Sequence, residues 1–326
     1  MSIVPSSESV SNAVERVARR TPLLRARDLS ARLDREVWLK AECLQVTGSF
    51  KVRGAAAKLS GLSDQERVRG VVSCSSGNHG RAVSYVAQKL GIPASVCVPE
   101  WVDPVKLEGI KSDGAEAVLV GSTFDEAETY ALKLSERTGR TYISAYDDPW
   151  VIAGQGTVAL EILEQLGELP AAILTPLSGG GLLGGIASVF SEEIGDQRCR
   201  TVGVSAENAA VMLASVRAGR PIEMAEEEPI ASALAGGIGL NNEHSFRLIQ
   251  ELVQEHVMVT EKQIVDAMRY CALTLKLIVE GGGAVAIAAI QSGVWKPTEL
   301  RDGPLVILLS GGNVALDTLA SVLSYS

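Results

Sequence analysis

The sequence predicts an α/β fold: a large parallel-sheet domain, a smaller α/β domain inserted into it, and an active site between the two. Three observations carry this expectation. Short apolar runs of strand length alternate with segments of helical spacing, the pattern of parallel βαβ units. Residues 70–145 form a self-contained stretch of such units, which sets the expected division at 1–62 and 147–326 for the large domain and 63–146 for the small one. Four glycine-rich loops punctuate the pattern. Three of them directly follow a strand-like run, where open α/β sheets hold their ligands.

In chain order, Val37–Ala41 reads as a strand and Gly70–Cys74 as another, followed by a helix from His79 to Leu90. Ala94–Pro99 and Ala115–Val120 are strand-like. Between them lies a short helix, Val105–Ser112, which Asp113-Gly114 ends. Phe124–Thr138 has amphipathic helical spacing, and Thr141–Ser144 is the next strand. A helix at Gly156–Leu166, a strand at Ala171–Leu177, a helix at Gly181–Glu193 and a strand at Thr201–Ser205 continue the alternation. A loop rich in Glu and Pro, Pro221–Pro229, precedes helices at Phe246–Glu255, Glu261–Leu277 and Gly283–Ser292. The strand Leu305–Ser310 comes last. No repeat of fixed period and no low-complexity tract interrupts the series.

Composition narrows the function classes. With 326 residues, 46% of them hydrophobic, the chain is long enough for two associated domains. Its net charge of -9 argues against sequence-independent nucleic-acid binding, which needs a cationic surface to displace counterions. The five cysteines (Cys43, Cys74, Cys97, Cys199, Cys271) are scattered and form no CxxC pair, so a reduced, cytoplasmic setting is expected. Three histidines without clustered cysteines give no zinc signature. The first residues lack a basic stretch followed by an apolar run, so no signal peptide is expected, and no run of 18 apolar residues predicts a membrane span. The expectation is a soluble enzyme acting on a small molecule.

The loop Ser178-Gly179-Gly180-Gly181-Leu182 lies between a strand and a helix. Glycines let backbone N–H groups approach a phosphate, and a helix N-terminus adds partial positive charge. A phosphate monoester is a reasonable ligand; close helix–strand packing is the structural alternative. Gly179, Gly181 and Gly184 also satisfy GxGxxG, with Glu207 some twenty residues on. That leaves a NAD-dependent dehydrogenase open as a different class, although such a fingerprint usually follows a domain's first strand. A P-loop is excluded because no Gly-Lys-Ser/Thr follows. Lys51, in Ser49-Phe50-Lys51-Val52-Arg53-Gly54-Ala55, has two readings: a solvated surface charge, or a desolvated amine that forms an imine with an aldehyde.

Four motifs in order now carry a resemblance: Ser-Phe-Lys-x-Arg-Gly-Ala, Ser75-Ser76-Gly77-Asn78-His79-Gly80, the triple-glycine loop, and Ser310-Gly311-Gly312-Asn313. Together they resemble the fold-type II pyridoxal-phosphate enzymes (tryptophan synthase β-like), and within them the threonine/serine dehydratase and serine racemase branch. The resemblance runs from Thr21-Pro22-Leu23 to Asn313 and includes Val151–Thr157 and Ile238-Gly239-Leu240-Asn241. It implies pyridoxal 5'-phosphate as cofactor, with Lys51 as its covalent anchor and the base at the substrate's Cα. It further implies that Phe50 packs on the pyridine ring, that Asn78 bonds the ring hydroxyl, and that Ser178, Gly179, Gly180, Gly181 and Leu182 hold the phosphate. Ser310 would sit at the pyridine nitrogen, where a neutral hydroxyl favours prompt loss of a β-leaving group. Glu280 matches a family carboxylate near the cofactor. Ser75, Ser76, Gly77, Asn78 and His79 would cradle the substrate carboxylate. Ser76 also falls where the racemases place an acid/base, and His79 reads as a structural donor of that loop.

The pattern has departures. Ser205 stands at one family metal ligand and Val211 at another, so no metal is expected. An arginine that reaches the substrate in racemase-like members aligns with Ala127, a substrate-contacting serine aligns with Gly237, and an Ala-Asp-Gly stretch reads Ala231-Ser232-Ala233. Lost side chains make room for a substrate larger than serine. The expected function is a dehydratase/ammonia-lyase that eliminates water from a hydroxy-amino acid of the threonine/serine type to give a keto acid and ammonia. A dehydratase of hydroxyectoine degradation is the alternative within the class, and a serine racemase a further one; a non-catalytic metabolite-binding protein is a third class. The chain stops soon after Asn313, so no feedback domain is expected, and the family's habit implies a homodimer or homotetramer.

Overall fold

The computed structural model describes residues 7–191, 198–224 and 229–324. Part of the expected Glu- and Pro-rich loop and the last two residues of the expected helix Gly181–Glu193 lie outside that set. Ten strands run in chain order: β1 Leu23–Arg25, β2 Val37–Ala41, β3 Val71–Cys74, β4 Ala94–Val98, β5 Glu116–Leu119, β6 Thr141–Tyr142, β7 Ala172–Pro176, β8 Arg200–Ala206, β9 Glu255–Val259 and β10 Leu305–Leu309. They form two sheets. The chain divides into two compact units: residues 1–19 with 50–155, and residues 20–49 with 156–326.

The first unit holds the four-stranded sheet, in the order β5-β4-β3-β6, parallel throughout. Successive strand residues point to opposite faces, and β3 shows the consequence. Val71 packs with Val52, Ala55, Ala56 and Leu59 of the helix Lys51–Ser60 and with Ala82, Val83 and Val86 of the helix Asn78–Leu90. Val72 and Cys74 turn the other way, onto Ala127 and Ala131 of the helix Phe124–Thr138. The first of these clusters explains why Lys51–Ser60 joins this unit, whereas the sequence reading drew its boundary at 62/63.

The second unit holds the six-stranded sheet, in the order β1-β2-β10-β7-β8-β9. All neighbours are parallel except β1, which pairs antiparallel with β2. β10 is buried along its whole length, as a central strand covered on both faces should be. One face packs on the helix Gly281–Gln291, whose Ala284–Ile290 stretch is buried and apolar. A separate apolar cluster in the same unit gathers Leu177, Leu183, Met212, Phe246 and Ile249. The order of strands reverses at β7, which has β8 on one side and β10 on the other. The loops leaving the carboxyl ends of β7 and β10 are therefore neighbours at a topological switch point, the usual ligand position in such sheets.

Several elements differ from the sequence reading, three of them for a local reason. β9 occupies Glu255–Val259, where the expected helix Phe246–Glu255 overruns the observed His244–Leu252. The short edge strand β1 gives too little pattern to stand out. The helix expected at Gly156–Leu166 begins at Pro149, because Asp148 Oδ1 accepts the free N–H groups of Trp150 at 2.8 Å and Val151 at 3.1 Å. Gly154 reads as a helix breaker but serves close packing: a Cβ there would lie 2.6 Å from the Arg53 carbonyl oxygen.

Candidate active site

The predicted site residues fall in both units, and each set has its own geometry. In the first unit Lys51 opens the helix Lys51–Ser60, with Phe50 at the cap position. The Lys51 amine lies 5.2 Å from the centre of the Phe50 ring and donates to the Ala145 carbonyl at 2.8 Å. It is half-buried rather than splayed into solvent. The lysine is thus held at a helix start between an aromatic ring and a backbone carbonyl.

The turn Ser75–Asn78 leaves the end of β3 and starts the helix Asn78–Leu90. Gly77 N–H donates to Ser75 Oγ at 3.1 Å, while the Ser76 hydroxyl makes no hydrogen bond to another of the described residues. Gly80 must be glycine, because a Cβ would meet the Ser75 carbonyl oxygen at 2.1 Å. The turn thus presents backbone N–H groups of a helix N-terminus together with two half-exposed serines, an arrangement that suits a carboxylate. His79 faces the other way. It is 3% exposed, and its Nε2 bonds the Ile143 carbonyl at 3.0 Å. Burial first, and then the nearby Lys51 charge, pushes its pKa down to about 3. The ring is neutral near pH 7 and is tied to a backbone carbonyl of its own unit.

In the second unit Ser178–Leu182 leaves β7 and starts the helix Gly181–Phe190. Gly180 has φ +84°, and a Cβ there would lie 2.9 Å from Met212 Cε and 3.1 Å from Ile249 Cγ1. Only glycine takes this turn without strain. Ser178 Oγ donates to the Leu234 carbonyl at 2.9 Å, and Ser245 Oγ donates to that of Gly179 at 2.7 Å. Asn242 supports Ser245 through Oδ1 at 3.0 Å. Neither Asn242 nor Ser245 was visible to sequence reasoning, since each reads as an ordinary helix-start residue.

Ser310 follows β10 and is 5% exposed, and its hydroxyl makes no hydrogen bond to another of the described residues. Glu280 caps the helix Gly281–Gln291, and its backbone N–H donates to the Gly311 carbonyl at 3.1 Å. Its Oε1 lies so close to Gly311 that a Cβ there would sit 2.1 Å away. Ser49 bridges to Gly311, and its fully buried Oγ has no partner. Gly237 is exposed, and a Cβ on it would meet nothing nearer than the Gly239 nitrogen at 3.9 Å. Taken by themselves, the residues of the second unit, a glycine cradle at a helix N-terminus and a neutral serine hydroxyl, suit a phosphate-bearing heteroaromatic ring, and the Lys51 amine of the first unit suits an aldehyde.

Other chemistries find less support. Burial pushes all five thiols upward, Cys97 to about 11 and Cys43 to about 12, which removes cysteine nucleophiles at neutral pH. Glu207, the acidic partner a dinucleotide would need, instead accepts the Glu261 backbone N–H at 2.8 Å. Ser205 and Val211 are both buried, with Ser205 Oγ donating to the Leu177 carbonyl at 3.3 Å. One expectation is corrected. Ala127 does not open a substrate side: it is fully buried in the apolar cluster against Cys74 and Cys97, because its helix turns that stripe onto the sheet.

The chain matches the profile of the family described as pyridoxal-phosphate dependent enzymes over residues 14–311. It is 37% identical to an L-threonine ammonia-lyase from Thermotoga maritima over 95% of this chain and 75% of that protein. Among solved structures it is similar to a processed threonine deaminase isoform 2 from Solanum lycopersicum, with TM-score 0.88 and 34% identity over 98% of this chain and 92% of that one. A serine racemase from maize is similar to the same degree, with TM-score 0.88 and 31% identity over 98% and 96% of the two chains. The chain therefore belongs to the pyridoxal-phosphate-dependent enzyme family, as a fold-type II lyase of the threonine/serine dehydratase branch.

Proposed function

We propose that the protein is an ammonia-lyase that eliminates water from a hydroxy-amino acid of the threonine/serine type, giving a keto acid and ammonia. The observation that carries this reading is the Lys51 amine, held on the Ala145 carbonyl in the same unit as the Ser75–Asn78 turn. When bound, the cofactor supplies an electron sink for the charge left at the substrate's Cα. Lys51 would anchor it and take the Cα proton. Phe50 would offer an apolar face to the ring, Asn78 a side-chain amide to its hydroxyl, and the amides from Gly179 to Leu182 a cradle to its phosphate. Ser310 would offer the ring nitrogen a neutral hydroxyl, which does not enforce protonation there and so favours prompt loss of a β-leaving group. Elimination is favoured over racemisation on that ground. Ser75, Ser76, Gly77 and Asn78 bind the substrate carboxylate, and the backbone of His79 contributes to the same turn.

The open space at Gly237 favours the second reading, a bulkier hydroxylated substrate of the hydroxyectoine kind. The setting is a reducing cytoplasm, in keeping with five free and buried cysteines. The assembly is a homodimer or homotetramer, a state consistent with exposed Leu273 (55%) and Leu316 (78%) in the second unit. Among the described residues no helix is long and apolar enough to cross a membrane. The test is a panel of serine, threonine, 3-hydroxyaspartate and hydroxyectoine, assayed for keto product and ammonia, with borohydride reduction and peptide mapping alongside. A pyridoxyl label on Lys51 with turnover of one substrate supports the reading; no label there overturns it.

A further inference from the structure

Beneath the Ser75–Asn78 turn runs a second set of contacts, all within the first unit. Ser73, on β3 and fully buried, donates its Oγ–H to the Ile143 carbonyl at 3.0 Å. His79 bonds the same oxygen at 3.0 Å from Nε2. The Ile143 N–H donates to the Val72 carbonyl at 2.9 Å, so this one residue is held at both its N–H and its carbonyl. The next residue, Ser144, accepts the backbone N–H of Asp147 at 3.1 Å on its Oγ, which closes the turn. Ala145, two residues beyond Ile143, is the residue whose carbonyl accepts the Lys51 amine at 2.8 Å.

The chemistry of the histidine follows from its partner. A carbonyl only accepts, so His79 Nε2 carries the proton and Nδ1 does not. With its pKa pushed down to about 3, the ring stays a neutral donor over the working pH range and adds no second cation beside Lys51. Histidine here acts as a buried N–H on a rigid arm.

We infer that Ser73 and His79 are positioning residues for Lys51: by gripping Ile143 they fix the Ala145 carbonyl as the rest for the lysine amine whenever that amine is not engaged elsewhere. An amine that donates N–H to a carbonyl keeps its lone pair turned away from it, free to take a proton. Neither Ser73 nor His79 touches a reacting atom. Placement errors of about 1 Å cost roughly 100-fold in rate even when they arise away from the chemistry. The inference rests on Lys51 being the cofactor lysine.

The test uses the holoenzyme and the variants Ser73→Ala, His79→Ala and His79→Gln. Four quantities are read: borohydride labelling of Lys51, circular dichroism of the visible cofactor band per bound cofactor, kcat against KM, and thermal unfolding. His79→Ala is expected to lower kcat at least tenfold with KM changed less than threefold, and to weaken the visible dichroism. His79→Gln, which retains an N–H donor, recovers most of both. Ser73→Ala moves the same readouts in the same direction and decides the matter if His79→Ala does not fold. Variants that lose only melting temperature, with dichroism and kcat of the folded fraction unchanged, overturn the inference. Absence of label on Lys51 in the unmodified enzyme would instead sink the proposed function.

Discussion

Lys40 and Glu161 form an ion pair at 2.5 Å in which the lysine is completely buried and the glutamate side chain keeps 15% of its surface. Lys40 also donates to the Thr21 carbonyl and to Gln165 Oε1, each at 2.9 Å. The two halves of this pair have unequal access to water, and that inequality makes a prediction. Glu161→Gln leaves a buried ammonium without its counter-charge, and removing one partner of a buried pair typically costs about 3–5 kcal/mol. Lys40→Met leaves a carboxylate that still reaches solvent, and Gln165 continues to satisfy the Thr21 carbonyl at 2.9 Å. Denaturant unfolding is expected to show the larger loss in Glu161→Gln. Equal losses, or the reverse order, would contradict this account.

The phosphate loop makes a second prediction through Gly180. An alanine forced to φ +84° is strained by about 1–2 kcal/mol, and its Cβ would also press on Met212 and Ile249. Gly219 supplies the control: it has φ +71° with nothing within 4 Å of a Cβ. Gly180→Ala is expected to lose stability and to weaken cofactor affinity at least tenfold by equilibrium dialysis. Gly219→Ala should lose about 1 kcal/mol from backbone strain with cofactor affinity unchanged. If both variants bind cofactor like the unmodified protein, the shape of the Gly180 turn is irrelevant to binding.

The alternation of strands and helices was legible in the sequence because parallel strands are covered on both faces, so their apolar runs stand out, as at β7 and β10. The glycine loops were legible because close backbone approach admits no other residue at Gly80 or Gly180. β1 and β9 were not. The first is three residues long, and the second is an edge strand that opens on two polar, half-exposed residues, Glu255 and His256, which blur the signal. The carbonyls of Ile143 and Ala145 could not be read at all, since a backbone oxygen leaves no mark on residue identity. Ala127 shows the opposite failure. Its alignment with a family arginine suggested an opened substrate side, and its helix face assigned it to the core.

Gly237 bears on substrate choice. No neighbour lies within 3.9 Å of a Cβ there, and its φ is outside the left-handed region, so Gly237→Ser should change unfolding free energy by no more than about 0.5 kcal/mol. Filling the space should penalise bulky substrates. One added group in a pocket is worth roughly 10–200-fold in discrimination. The ratio of kcat/KM for serine over the bulkier substrate is expected to rise at least tenfold in Gly237→Ser. An unchanged ratio would place Gly237 away from the substrate.

His79 makes the stability of the protein depend on pH in a predictable direction. Its folded pKa is depressed to about 3, while an unfolded histidine titrates at its ordinary 6.5. Between those values the unfolded chain binds a proton that the folded chain refuses. Stability therefore rises with pH across this window: the histidine's contribution is complete above 6.5 and is lost as pH falls toward 3. One such proton is worth about 1.4 kcal/mol per pH unit. His256, shifted in the same direction by burial and by Arg217, adds to the slope and stays constant between variants. Denaturant unfolding of the unmodified protein and of His79→Gln, followed from pH 7.5 to 4.5, should give the steeper loss for the protein that keeps the histidine. Above pH 7 the two curves should run parallel. Parallel curves throughout the acid limb would mean that His79 takes up its proton in the folded state, and a protonated ring would leave Lys51 beside a second cation.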